Sequence, residues 1–283
     1  MLGAVASATE RVGLMTYVTC PIMRYHPAVV AQKAATVALL AGGLRFTLGL
    51  GAGENLNGHV VGRGWPPANV RDVMLSEAIE IIRCLFDEEY VSLDGEHFRV
   101  DSAKLWDKPA DGVPIAVAVS GTQSIERFAP VADAMVALEL EPSLVLGFDG
   151  AAGAALPKIG QQPLAWGPDA DEAVARAHEQ FRWFAGGWKV NAELPGTAAF
   201  DAATQFVRRE DVAEAIPCGP GVAAQVEAVR PFVKAGFTHI ALVQIGGPTQ
   251  AEFIDLAGRE LPPALWEEYG KAEDATIRVR GRG

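Results

Sequence analysis

Short apolar runs alternate along the chain with longer stretches in which apolar positions recur every three or four residues. VGLMTYVT (Val12 to Thr19), RFTLGLG, PIAVAVS, DAMVAL, QQPLAW and THIALVQIG predict strands. PAVVAQKAATVALLAGG predicts a helix opened by Pro27 and closed by glycine. MLSEAIEIIRCLFDEE places Leu75, Ile79, Ile82 and Phe86 on one stripe of a second helix. Further helices are predicted near Gln123, over DEAVARAHEQFRWFA and PGVAAQVEAVRPFVKAG, and from Gln250 to Gly258, with a possible continuation beyond Pro262-Pro263. VSLDGEHFRV reads as a hairpin around Asp94-Gly95. Strands that are nearly continuous apolar runs, each followed by a helix, imply parallel pairing with both faces covered. Six such β/α units are expected in one domain spanning 1–270, with a flexible tail over 271–283. The longest irregular insertion is expected from Gly186 to Gln205, where a lid or binding loop would lie.

The 283-residue length suits one large α/β domain. The formal charge of −11 argues against broad nucleic-acid binding, and no apolar run of about 18 residues predicts a membrane span. Cys20, Cys84 and Cys218 are scattered and form no CxxC pair. They suggest a reducing, cytoplasmic setting without a disulfide framework. No HExxH or clustered ligand spacing predicts a metal site, and Ser120 lacks the flanking glycines of a nucleophile elbow.

The stretch FTLGLGAGENLNG carries the most chemistry. Gly49 and Gly51 begin a dinucleotide fingerprint, but Glu54 occupies the third glycine position, where a carboxylate would repel a pyrophosphate. A solvated loop acid is the plain alternative. Position favours more: Glu54 lies just beyond a buried parallel strand, the end at which parallel α/β folds place their sites.

LMTYVTCPIMRYHPAVVAQKAAT, RFTLGLGAGENLNGHVVGRGWPP, HFRVDSAKLWDKP, FRWFAGGWKVNAELPG and AEAIPCGP resemble luciferase-like oxidoreductases that use the deazaflavin coenzyme F420. The subgroup most similar is that related to F420-dependent glucose-6-phosphate dehydrogenase. The resemblance extends from about Leu2 to Trp266. It implies a (β/α)8 TIM barrel and hydride transfer at the deazaflavin ring, with a small-molecule substrate and a homodimer. It implies that Glu54 is the active-site acid, that Asn57 contacts the cofactor, and that Val18 and Cys20 lie on the segment backing the ring. A cis peptide is implied at Tyr17–Val18. Ser120, Gly121, Thr122 and Gln123 align with the cradle of the cofactor phosphate. An ordinary helix cap by Ser120 or Thr122 is the competing reading of that turn.

Two departures accompany the resemblance. The first strand, first helix and second strand of the barrel have no counterpart, which reads as an N-terminally truncated product. The family's catalytic histidine is therefore unmatched: none of His26, His59, His97, His178 and His239 takes its place. Of these, His59 lies nearest the candidate acid, and His26 reads as a surface cap. The regions expected to hold a substrate phosphate read ALELEPSLVLGF and AEAIPCGP, without the basic residue required. Glucose 6-phosphate is thus a poor candidate substrate; Arg182 and Lys189 are the nearby basic residues to watch. The alternatives are an FMN-dependent luciferase-like monooxygenase and a non-catalytic truncated relic. Trp183, Phe184 and Trp188 either roof a ring-shaped ligand or pack their own segment.

Overall fold

The computed structural model describes residues 1–270 and 275–281. Two units separate by their internal contacts: Met1–Val136, Leu146–Pro157 and the residues from Thr276 on form the first, and Ala137–Val145 with Lys158–Ala275 the second.

The first unit contains α1 (Leu2–Ala8), β1 (Leu14–Met15), α2 (Pro27–Ala41), β2 (Phe46–Leu50), the single turn α3 (Asn55–Gly58) and α4 (Ala68–Asp87). The hairpin β3 (Val91–Asp94) and β4 (Arg99–Ala103) follows, then β5 (Ile115–Ala118), α5 (Thr122–Phe128) and β6 (Ala134–Val136). Its parallel strands lie in the order β1-β2-β5-β6. Leu48 pairs with Ile115 and Leu50 with Val117, while Ala116 pairs with Ala134. Leu48, Leu50, Ile115, Val117 and Met135 are buried, as are Leu75, Ile79, Ile82 and Phe86 on the predicted stripe of α4. Each such side chain contributes about 1.5–3 kcal/mol by leaving water.

The strand predicted over Val12 to Thr19 is much shorter. After Met15 the chain leaves the ladder, and the Thr16 hydroxyl substitutes for it, accepting from Gly49 N–H and donating to Gly49 O at 2.9 Å each. Thr19 then rejoins β2 at Leu50. α4 begins earlier than its apolar stripe, because Asn69, Arg71 and Asp72 give its first turns a polar pattern. The hairpin is fastened to α4 by Glu77, whose carboxylate accepts the N–H groups of Glu96, His97 and Phe98.

At the other end of these strands, Asp133 is almost fully buried. It accepts from Ile115 N–H (2.7 Å), Arg83 (2.7 Å) and Arg280 N–H (2.7 Å). The Arg280 guanidinium donates to the carbonyls of Ala129, Pro130 and Ala152. Of the tail expected over 271–283, residues 271–274 and 282–283 lie outside the described residues; between them Ile277 is buried.

Helix α6 (Pro142–Ala152), which begins in the second unit and ends in the first, was not expected. Gly147 and Gly150 read as breakers in sequence. Gly147 instead admits Ile125, whose Cδ1 would lie 3.2 Å from a β-carbon there.

The second unit pairs β7 (Lys158–Leu164) with β8 (His239–Gln244) in parallel, from Ile159↔His239 to Leu164↔Gln244. Between them the chain forms α7 (Ala170–Phe181), α8 (Trp188–Asn191), α9 (Thr197–Ala203), α10 (Arg209–Ala215) and α11 (Val222–Ala235). α12 (Gln250–Arg259) and α13 (Leu261–Tyr269) follow β8. The insertion expected to be irregular is thus largely helical. Pro262 and Pro263 open α13, where their missing N–H groups cost nothing. Among the described residues, six parallel strands followed by helices match the α/β expectation, four in one unit and two in the other. Among the described residues, no helix is long and apolar enough to cross a membrane.

Candidate functional site

The register of β2 against β5 runs to Leu50↔Val117, and a β-carbon on Gly51 would lie 3.3 Å from that of Ala118, so the segments that follow both strands leave from one rim of the first unit. Thr19 N–H bonds Gly49 O, and Gly51 N–H bonds Thr19 O, which brings the segment carrying Val18 and Cys20 to the same rim. The sequence candidates Val18, Cys20, Glu54, Asn57, Ser120, Gly121, Thr122 and Gln123 all follow strand ends that are neighbours here.

Glycine is required for this convergence. A β-carbon on Gly49 would lie 2.0 Å from Thr16 O, and one on Gly51 would lie 2.8 Å from Val18 Cγ2. Gly53 has φ +78°, and a β-carbon there would meet Cys20 Sγ at 2.5 Å. The glycines therefore let the Val18–Cys20 segment press against the end of β2, joined through the cis peptide Tyr17–Val18. Burial raises the Cys20 thiol above its ordinary value; Arg24, Arg71 and two backbone N–H groups oppose it only in part. Burial thus disfavours the thiolate at Cys20, whose sulfur packs against the Gly53 backbone.

Glu54 precedes α3, and the N–H groups of Asn57 and Gly58 bond its carbonyl at 3.2 and 2.9 Å. The Asn57 side-chain amide donates to Glu54 Oε1. Oε2 accepts no hydrogen bond from the described side chains. His59 turns back onto α3, its Nδ1 lying 2.8 Å from Asn55 O, and is exposed. His26 caps α2 by accepting from Ala28 N–H, as expected of a surface cap.

The turn after β5 departs from the cap reading. Neither Ser120 nor Thr122 caps α5. Ser124 Oγ accepts from the N–H groups of Ser120 (3.0 Å) and Gly121 (3.2 Å) and donates to Gly121 O (2.8 Å). The hydroxyls of Ser120 and Thr122 stand exposed at the corner. A β-carbon on Gly121 would meet no atom within 4 Å, so the space beside it is open.

Sequence reasoning missed Ser124, Tyr17, Trp65 and Arg71. The signal for Ser124 was a hydroxyl at the third helical position, a capping-box site. The Tyr17 phenol oxygen is shut off from solvent and has no hydrogen-bond partner among the described residues. Burial pushes its pKa well above the ordinary value, so it stays a neutral donor.

Trp183 packs on Phe181 (ring centroids 4.4 Å apart), Phe184 and Phe200, which is the packing reading of that segment. Arg182 is paired with Asp201. Glu139, from the acidic LELEP run, accepts Trp188 N–H at 2.6 Å.

Parallel strands with candidate polar groups at their C-terminal rim are the arrangement of α/β enzymes, and comparison with known proteins makes the class specific. The pattern of the luciferase-like monooxygenase family matches residues 1–239, and the chain belongs to that family. It is 33% identical over 290 residues to an F420-dependent glucose-6-phosphate dehydrogenase of Beutenbergia cavernae, covering 93% of this chain and 81% of that one. It is 36% identical over 248 residues to an F420-dependent hydroxymycolic acid dehydrogenase of Mycobacterium tuberculosis, covering 83% and 66% respectively. Among solved structures, an F420-dependent secondary alcohol dehydrogenase in complex with an F420-acetone adduct superposes with a TM-score of 0.82 at 28% identity, covering 93% of this chain and 82% of that one. The fold is thus the luciferase-like TIM-barrel class expected from the sequence.

Proposed function

We propose that this protein is an F420-dependent oxidoreductase that moves hydride between a small organic substrate and the deazaflavin coenzyme. The carrying observation is the in-register pairing of β2 with β5, which puts the Glu54 turn and the Ser120 corner on one rim.

The residues present suit such a cofactor. Val18 and Ala118 meet at Gly51 and offer an apolar backing for a flat ring. The buried Tyr17 hydroxyl is a donor without an acceptor. The corner at Ser120, Gly121, Thr122 and Gln123 is open and free of acids, as an anionic tail requires. When bound, the deazaflavin supplies the hydride acceptor or donor. In this reading Val18 and Cys20 shape the ring's seat, and the corner from Ser120 to Gln123 holds its phosphate. Asn57 contacts the cofactor while orienting Glu54 through Oε1. Oε2 then takes up or returns the proton of the substrate hydroxyl.

Relatives named for a sugar phosphate, a hydroxy acid and a secondary alcohol support a hydroxyl-bearing substrate. The segments ALELEPSLVLGF and AEAIPCGP, which the resemblance aligns with the substrate-phosphate region, carry no basic residue, which favours an uncharged alcohol. A cytoplasmic homodimer goes with the same reading. Anaerobic titration with F420 and with FMN tests it: tighter binding of F420, followed by its reduction with a secondary alcohol, is expected. Preference for FMN would move the protein to the monooxygenase branch, and binding of neither would leave a non-catalytic relic.

A further inference from the structure

The turn bearing Glu54 is bounded by two glycines, Gly53 and Gly58, and both face one indole. A β-carbon on Gly58 would lie 2.3 Å from Trp65 Cζ3 and 2.5 Å from its Cε3. One on Gly53 would lie 3.6 Å from Trp65 Cη2. The ring therefore touches the beginning and the end of the segment that holds Glu54 and Asn57. Gly58 leaves no room for the turn to move towards it.

Trp65 is itself held. The Arg71 guanidinium lies over its ring, 4.3 Å from the centroid, and Nη1 donates to Pro66 O at 2.6 Å. Arg71 is only 4% exposed although it is charged. A cation so withdrawn from water is costly unless stacking and hydrogen bonds compensate, and the stack on Trp65 does both structural jobs at once. Arg71 is anchored in α4, the helix with the most completely buried apolar stripe of the first unit. Rigid support thus runs from α4 through Arg71 and Trp65 to the Glu54 turn.

We propose that Trp65, clamped by Arg71, is the positioning residue for Glu54. The indole fixes both ends of the turn, so the carboxylate keeps one orientation at the rim while Asn57 holds Oε1. This rests on the assignment of Glu54 as the acid, but it makes a separate claim about what holds the turn.

Amide hydrogen exchange on the ligand-free protein tests that claim without cofactor. In Trp65→Leu and Arg71→Met, the N–H groups of Asn57 and Gly58 should exchange about 10-fold faster or more, while Val119 N–H in the sheet stays protected. Trp65→Phe should fall between them and the parent. Kinetics supply the second arm. Trp65→Leu should lower kcat about 10- to 100-fold, with coenzyme affinity changed less than about 3-fold. In a Glu54→Gln background the same substitution should cost nothing further. Unchanged exchange at Asn57 and Gly58, or an equal loss of kcat in both backgrounds, overturns the proposal. If Trp65→Leu does not fold, Arg71→Met and Trp65→Phe carry the same comparison. Unchanged turnover in Glu54→Gln alone would refute the acid assignment, and the exchange result would still decide the role of Trp65.

Discussion

The side-chain amide of Asn57 donates to Glu54 Oε1, one turn back along the chain. The acid on the rim is therefore oriented by its own neighbour and presents its other oxygen outward. Glu54→Gln should leave coenzyme affinity within about 3-fold and lower turnover about 100-fold or more, since it keeps the shape and removes the proposed proton acceptor. Asn57→Ala should lower turnover by a smaller factor, about 10-fold, by releasing the carboxylate. Fluorescence titration and stopped-flow reduction measure the two effects separately.

Gly53 combines φ +78° with a β-carbon position 2.5 Å from Cys20 Sγ. Gly53→Ala should lower stability by about 1–3 kcal/mol through backbone strain and the displaced thiol. The double variant Gly53→Ala with Cys20→Ala should recover the steric part only. Urea unfolding of the three proteins measures the split; full recovery in the double variant would mean the backbone is unstrained.

Ser124 makes three hydrogen bonds to the Ser120–Gly121 corner. Ser124→Ala should loosen that corner and weaken F420 binding about 10-fold. A deazaflavin fragment without the phosphate tail should bind both proteins alike. Equal weakening for both ligands would remove the corner from tail recognition.

Burial holds the Asp72 carboxyl above its ordinary value, against the opposing charges of Arg127 and Arg71. The folded protein therefore keeps a proton there that the unfolded chain has released. Stability should fall as pH rises from the ordinary carboxylate value through the raised one, and the loss persists at neutral pH. Asp72→Asn should raise Tm at pH 7 and show a shallower fall of stability between those pH values. Parallel melting curves at acidic and neutral pH test the sign; a lower Tm for the variant at pH 7 would mean that attraction to the two arginines outweighs burial.

The fold was legible where one physical signal dominated. Apolar runs such as PIAVAVS and the stripe Leu75, Ile79, Ile82 and Phe86 marked buried strands and a packed helix, and both are present. Helix α6 was hidden because Gly147 and Gly150 are breakers locally, whereas one of them serves contact with Ile125. Strand β1 was overestimated because a hydroxyl from Thr16 can replace a ladder bond without changing the apolar pattern. That the segments carrying Glu54 and Ser120 follow neighbouring strands was legible from the apolar runs before them, while the roles given to these residues rest on family resemblance. Trp65, Arg71 and Ser124 were not, because their importance lies in what they touch across the chain, which no spacing encodes.

Arg280 closes over two helix ends and gives its own N–H to Asp133, the carboxylate that also receives the first N–H of β5. Arg280 and the buried Ile277 therefore belong to the floor beneath the strands whose opposite ends carry the candidate site. Loss of Arg280 would strip a donor from the enclosed Asp133 side chain and soften the base of the scaffold.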